Sequence, residues 1–156
     1  MKYLFTILIF CSCQKDPYCP PIGIVPNEVK TYYDYFINEA EKRNILLKEN
    51  KVEIVLSGKF YVNGIPYIGY ADNANNRITI DTSEGSYKIY KEHVILHELG
   101  HYFLHRDHRN DNLPNNNPTS IMNCCNYTNF NYYPYKREYY LNELFCPHTE
   151  SPDWGN

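Results

Sequence analysis

This 156-residue sequence lacks an excess of positive charge, a long apolar run and internal repeats. Lys and Arg number 15 against 18 Asp and Glu, so the formal net charge is -3 and no positive field is present to attract nucleic acid. No apolar run approaches the roughly 20 residues that a membrane-spanning helix needs. No two cysteines have the spacing that zinc fingers use. These absences leave one globular domain of ordinary composition, and we expect no nucleic-acid partner.

The N-terminus resembles the signal of a bacterial lipoprotein. Lys2 precedes an apolar run from Tyr3 to Phe10, which fits the hydrophobic region of a signal peptide. Ser12 and Cys13 follow, and in such signals a cysteine after a small residue becomes the lipidated first residue. We therefore expect residues 1–12 to be a signal peptide and Cys13 to carry the lipid. The mature protein would be exported and anchored to a bacterial membrane, at the outer membrane or the cell surface; a plain secretory signal is the alternative.

The remaining chain divides into a short tether, residues 13–25, and one domain, residues 26–156. The tether is rich in proline and has no periodicity, whereas the domain opens with a helix that the spacing of apolar residues predicts to end near Arg43. Later patterns predict strands at 52–56, 60–62, 67–71 and 77–81, a helix at 86–104, a loop at 106–117 and a last helix at 134–145. This order of elements predicts an α+β fold with a small mixed sheet.

One motif points to chemistry. His97-Glu98-Leu99-Gly100-His101 has the H-E-x-x-H pattern inside a predicted helix. Residues four apart lie on one face of a helix, about 6 Å apart along its axis, so both imidazoles can reach one zinc ion. Glu98 projects toward the same cleft, where a carboxylate can take a proton from a zinc-activated water. The motif therefore predicts Zn²⁺ as cofactor, His97 and His101 as ligands, and Glu98 as general base.

The residues after the motif resemble those of the metzincin metallopeptidases. That family has H-E-x-x-H-x-x-G-x-x-H followed by a turn that contains methionine, and Ser120-Ile121-Met122 matches the turn. Here Leu104 replaces the family glycine, Asp107 occupies the regular third-ligand position, and His108 comes one residue later. Because leucine does not readily adopt the left-handed conformation of glycine, we expect a later helix end and a shift of the third ligand to His108. Asp107 remains the alternative. The spacing is similar to that of a group of Bacteroidetes lipoprotein peptidases.

The resemblance implies a metzincin-like domain with an active-site helix, a Met-turn and a C-terminal helix. It implies that Met122 lies beneath the metal and that the protein is a monomeric zinc endopeptidase acting on protein or peptide substrates. An extended substrate would pair with the strand Arg77–Asp81 as an edge strand. The cysteine at position 124 stands where many metzincins have a tyrosine, so an assisting tyrosine would have to be Tyr127 or one of the pair Tyr132 and Tyr133.

Two alternatives stay open. A gluzincin-type peptidase would take its third ligand from the last helix, with Glu138 or Glu143 as the candidates. A surface binding lipoprotein with a structural or vestigial zinc site is the other possibility, and it gives Glu98 no role.

Overall fold

A computed structural model describes residues 22–47, 51–83, 85–124 and 136–155. The chain forms an α+β fold of three helices and six strands across these ranges. In order they are β1 (Ile22–Ile24), α1 (Asn27–Lys42), β2 (Lys51–Ser57), β3 (Phe60–Val62), β4 (Ile65–Tyr67), β5 (Gly69–Asp72), β6 (Arg77–Asp81), α2 (Gly85–Leu104) and α3 (Arg137–Phe145), before a short 3₁₀ turn at Asp153–Gly155. Within the described part of the chain, no helix has the length and apolarity needed to cross a membrane.

The main sheet is mixed, as the sequence predicted. Its strand order is β1-β2-β6-β5, with β1, β2 and β6 parallel and β5 antiparallel to β6. Strands β3 and β4 form a separate hairpin around Asn63 and Gly64, whose φ angles of 51° and 81° are those of a two-residue type I′ turn.

Three details of the sheet differ from the sequence predictions. Ile22–Ile24, which the proline content assigned to the tether, pairs in register with Lys51 to Glu53 of β2. The single strand predicted at 67–71 is two strands, because Ile68 separates β4 from β5. The prediction that Arg77–Asp81 is an edge strand is wrong: β6 pairs with β2 on one side and β5 on the other, and β5 is the outer strand among the described residues.

Helix α2 forms the centre of the core. Residues 93–100 are all buried, and the helix packs against α1 on one side and against β5 and β6 on the other. Phe36 of α1 joins the helices, because its ring lies 5.9 Å from that of Phe103 in α2 and 5.0 Å from that of Phe145 in α3. Helix α2, which carries the H-E-x-x-H motif, is therefore packed between α1 and the strands β5 and β6.

Candidate metal centre

Three histidines converge at the C-terminal end of α2. The Nε2 atom of His101 lies 3.0 Å from Nε2 of His97 and 3.1 Å from Nε2 of His108. The ligand atoms of all three residues lie within 4.8 Å of one another, close enough to bind one metal ion. Among the described residues this is the one group of three or more His, Cys, Asp or Glu side chains with that geometry.

The ring of His97 is held by the backbone of the Ser120–Met122 segment. His97 is 6% exposed, and its Nδ1–H donates to the carbonyl oxygen of Ile121 at 2.8 Å. A carbonyl oxygen can only accept, so Nδ1 carries the proton and Nε2 faces the other two rings. Burial, and secondarily the neighbouring His101, lowers the pKa of His97 to about 3. His97 is therefore neutral at physiological pH, which is the form that binds metals.

The ring of His101 is held in the same way by the chain that follows α2. Its Nδ1–H donates to the carbonyl oxygen of Arg106 at 2.5 Å, which again leaves Nε2 for a ligand. Burial lowers the pKa of His101 below its ordinary value as well.

The chain turns sharply after Leu104 and brings the third histidine back to the first two. His105 adopts the left-handed conformation with φ 51°, and the backbone N–H of Arg106 donates to the carbonyl oxygen of Gly100 at 3.2 Å. Helix α2 thus continues through Leu104, the position at which metzincins have glycine, and breaks one residue later. The exposed His108 then reaches the pair on α2.

The donor set fits a divalent metal ion. With both Nδ1 atoms protonated, Nε2 of His97 and Nε2 of His101 each present a lone pair, and at 3.0 Å these lone pairs repel each other. A cation between them would remove this repulsion. Nitrogen ligands at about 2.0–2.1 Å in a tetrahedral site lie roughly 3.3 Å apart, close to the two observed separations.

Glu98 lies on the wall of the same cleft, packed against β5. It is 5% exposed, and a Cβ atom at Gly69 would come within 2.3 Å of its Oε1 atom. The strand therefore needs glycine at this position for the carboxyl group to fit. Burial raises the pKa of Glu98 to about 8, opposed by a hydrogen bond from the backbone of Ala71. A cation at the histidines would favour the carboxylate form.

The histidines and Glu98 share an open cleft of about 720 Å³. Strand β5 and the C-terminal end of β4 form one wall of the cleft. There the rings of Tyr67 and Tyr70 meet edge-on at 5.7 Å. Cys124 also borders the cleft and is disulfide-bonded, whereas Cys146 is free and exposed. The volume of this cleft is within the range of ligand-binding clefts, roughly 300–1,000 Å³.

Comparison with known proteins identifies no relative of this chain. No protein-family model, curated protein or solved structure matches this chain.

Met122 is fully buried beneath α2, next to Gly100. A Cβ atom at Gly100 would lie 2.8 Å from the sulfur of Met122 and 2.8 Å from Cδ1 of Leu144. Gly100 stands between the two helix histidines in sequence, so the methionine supports the part of α2 that carries them.

The alternatives for the third ligand are not in the group of converging side chains. Asp107 is exposed and borders the cleft, but its carboxylate does not belong to the group. Glu138 is exposed on α3, and the carboxylate of Glu143 is bonded to Arg106, Arg109 and Ser120 instead. These positions do not support a gluzincin-type ligand. Cys13, Tyr127 and the pair at 132–133 lie outside the described residues.

Sequence reasoning missed two residues of the site. Gly69 contacts the carboxyl group of Glu98, and a lone glycine inside a strand pattern is a known sign of close backbone approach. Arg106 orients His101 through its carbonyl group, which no side-chain pattern could have predicted.

Proposed function

We propose that this protein is a zinc-dependent peptidase in which His97, His101 and His108 bind the metal and Glu98 is the general base. The observation that carries the proposal is the convergence of three Nε2 atoms beside a buried carboxyl group in one open cleft. Neutral imidazole suits zinc among the common biological cations.

The number of ligands favours catalysis over a structural site. Structural zinc sites are usually closed by four protein ligands, whereas catalytic sites have three and leave a position for water or substrate. The described residues supply three histidines that face an open cleft. A surface binding protein with a structural or vestigial zinc site has no use for a carboxyl group buried beside that position.

In this proposal Glu98 is the residue that transfers protons. When bound, zinc polarises a peptide carbonyl group and lowers the pKa of a water molecule to about 7. Glu98 accepts the proton of the attacking water and passes it to the nitrogen of the leaving amine. The backbone of β5 fixes its carboxyl group through the contact at Gly69 and the hydrogen bond from Ala71.

The substrate would lie along β5 rather than along β6. Residues 69–71 of β5 border the same cleft as the histidines, and β5 is the outer strand of the sheet among the described residues. An extended peptide could add to this edge by main-chain hydrogen bonds, which bind without strong sequence preference. We propose a monomeric endopeptidase of metzincin-like architecture, exported and lipid-anchored through Cys13, with peptides or proteins as substrates.

Cleavage of a peptide library tests the proposal. We expect the wild-type protein to cleave peptides, a chelator to abolish cleavage, and added zinc to restore it. Glu98→Gln should still bind zinc but lose at least the 10²–10⁴-fold that general-base catalysis typically contributes. Glu92→Gln is the matched control, because Glu92 lies on the same helix but pairs with Arg137. Zinc binding without any cleavage by the wild type would favour the binding protein instead.

A further inference from the structure

Glu143 is a buried carboxylate that the proposed chemistry does not use. It lies on α3 and has no exposed side-chain surface. Its Oε1 atom accepts hydrogen bonds from Arg106 at 2.7 Å and from Arg109 at 3.1 Å, and its Oε2 atom accepts one from the hydroxyl group of Ser120. A carboxylate with two guanidinium partners and a hydroxyl partner is fully satisfied, which explains how a charge is kept in the core.

Two hydrogen-bond partners of Glu143 belong to the segments that orient the helix histidines. Arg106 belongs to the segment that orients His101, and Ser120 to the segment that orients His97. Arg106 also donates to the carbonyl oxygens of Glu143 and Leu144 at 2.7 and 2.6 Å, so its side chain is bound to α3 by several hydrogen bonds. The backbone carbonyl of this same Arg106 accepts the hydrogen bond from Nδ1 of His101.

Ser120 connects Glu143 by hydrogen bonds to the turn that orients His97. The Ser120 hydroxyl oxygen accepts a hydrogen bond from the backbone N–H of Met122 at 2.9 Å, which fixes the turn around Ile121. The carbonyl of Ile121 accepts the hydrogen bond from Nδ1 of His97.

We infer that Glu143 is a positioning residue that sets the tautomer and orientation of both His97 and His101. One carboxylate holds both carbonyl acceptors in place, so that the two Nε2 atoms face the metal site with lone pairs available. The inference rests on the proposed metal site, and it assigns Glu143 a role in metal affinity rather than in proton transfer. Partners behind a ligand typically change metal affinity 10–100-fold when they are mutated.

Zinc affinity is the first test, measured by competition with a chromophoric chelator. Glu143→Gln should bind zinc 10–100-fold more weakly than wild type. Glu39→Gln is the matched control, because Glu39 is also a buried, ion-paired glutamate, with Lys42 of α1 and the next residue, Arg43, as its partners. We expect the control to bind zinc within threefold of wild type. Equal losses in the two variants, or no loss in Glu143→Gln, would overturn the inference.

The second test needs no zinc and so stands even if the metal proposal fails. In chelator-treated protein, ¹⁵N NMR of the imidazole nitrogens reports which nitrogen is protonated in His97 and His101. We expect the Nδ1–H tautomer for both rings in wild type and in Glu39→Gln, and a mixture of tautomers in Glu143→Gln.

Ser120→Ala removes only the connection between Glu143 and the turn that orients His97. This variant remains informative if Glu143→Gln fails to fold. It should disturb the tautomer of His97 and leave that of His101 as in wild type. Wild-type tautomers at both rings in Ser120→Ala, or an equal disturbance at both, would contradict the inference. If the wild-type protein binds no zinc while the variants show these tautomer changes, the metal site is refuted and the positioning role of Glu143 remains supported.

Discussion

The buried carboxyl group of Glu98 makes the metal-free protein less stable as the pH rises. Burial raises the pKa of Glu98 from 4.5 to about 8 in the folded protein, whereas the unfolded chain has the ordinary value. Between these two values the folded protein keeps the proton and the unfolded chain loses it. A group with a raised folded-state pKa contributes stability that is present below the unfolded pKa and is lost as the pH rises to the folded one.

The size of this loss of stability follows from the pKa shift of Glu98. Each pKa unit corresponds to 1.36 kcal/mol, so a shift from 4.5 to about 8 corresponds to at most about 5 kcal/mol. Such a loss is comparable with the whole stability of many small domains. Replacing Glu98 with glutamine removes the titration, while the titrations of His97 and His101 remain in both proteins and cancel in the comparison.

Urea unfolding of chelator-treated wild type and Glu98→Gln at a series of pH values measures this difference. We expect the free energy of unfolding of wild type to fall relative to the variant between pH 4.5 and 8 and to level off above. Saturating zinc should flatten the difference, because a cation near Glu98 favours the carboxylate. A difference that is independent of pH in the chelated proteins would refute the reasoning about this group.

Three further predictions concern the walls of the site and the N-terminus. Gly69→Ala should lower kcat and leave zinc bound, because its Cβ atom would come within 2.3 Å of Oε1 of Glu98; stopped-flow peptide cleavage with zinc analysis measures both. Gly100→Ala should destabilise the fold by about 1–3 kcal/mol, the typical cost of overpacking, because its Cβ atom would lie 2.8 Å from the sulfur of Met122; thermal unfolding measures this loss. Full-length protein should partition into detergent after export, and Cys13→Ser should remain in the aqueous phase.

Gly58→Ala is the control for both glycine variants, because among the described residues no atom beyond the two chain neighbours lies within 4 Å of a Cβ atom built at Gly58. It should resemble wild type in rate and in thermal stability. Losses at Gly69 or Gly100 no larger than the loss at Gly58 would contradict the packing described for Glu98 and Met122. Equal partitioning of the two full-length proteins would argue against lipidation at Cys13.

Regular, locally determined elements could be predicted from the sequence. The helix predicted to end near Arg43 ends at Lys42, because its apolar residues recur with the helical period. The helix predicted for 86–104 corresponds to α2 at 85–104, but the backbone leaves the helical conformation at Tyr90, where two helical segments meet at a kink. The alternation at 77–81 likewise gives β6. The fold class followed from the order of these elements.

Features that depend on distant partners could not be predicted. Strand β1 is three residues long and exists through its pairing with β2, so its own sequence carries no periodic signal. The edge position of β5 depends on the strand order, which local patterns do not encode. The buried Glu143 looked like a possible ligand on a helix, and its pairing with Arg106 across 37 residues appears only in the fold.

The approach of His108 to the two helix histidines illustrates both situations. The sequence has Leu104 where metzincins have glycine, and this difference indicated a later helix end and favoured His108 over Asp107. The residue that takes the left-handed conformation, His105, was not predicted, because only a few per cent of residues other than glycine adopt it. Backbone hydrogen bonding at the turn stabilises this conformation.

Zinc titration of the wild-type protein and of single-residue variants tests the central claim most directly. We expect one tightly bound zinc ion per chain. The affinity for zinc should fall drastically in His97→Ala, His101→Ala and His108→Ala. Asp107→Ala should lose no more than the 10–100-fold expected of a residue beside the ligands. Absence of zinc binding by the wild type would contradict the claim, and loss of the metal in Asp107→Ala with retention in His108→Ala would move the third ligand to Asp107.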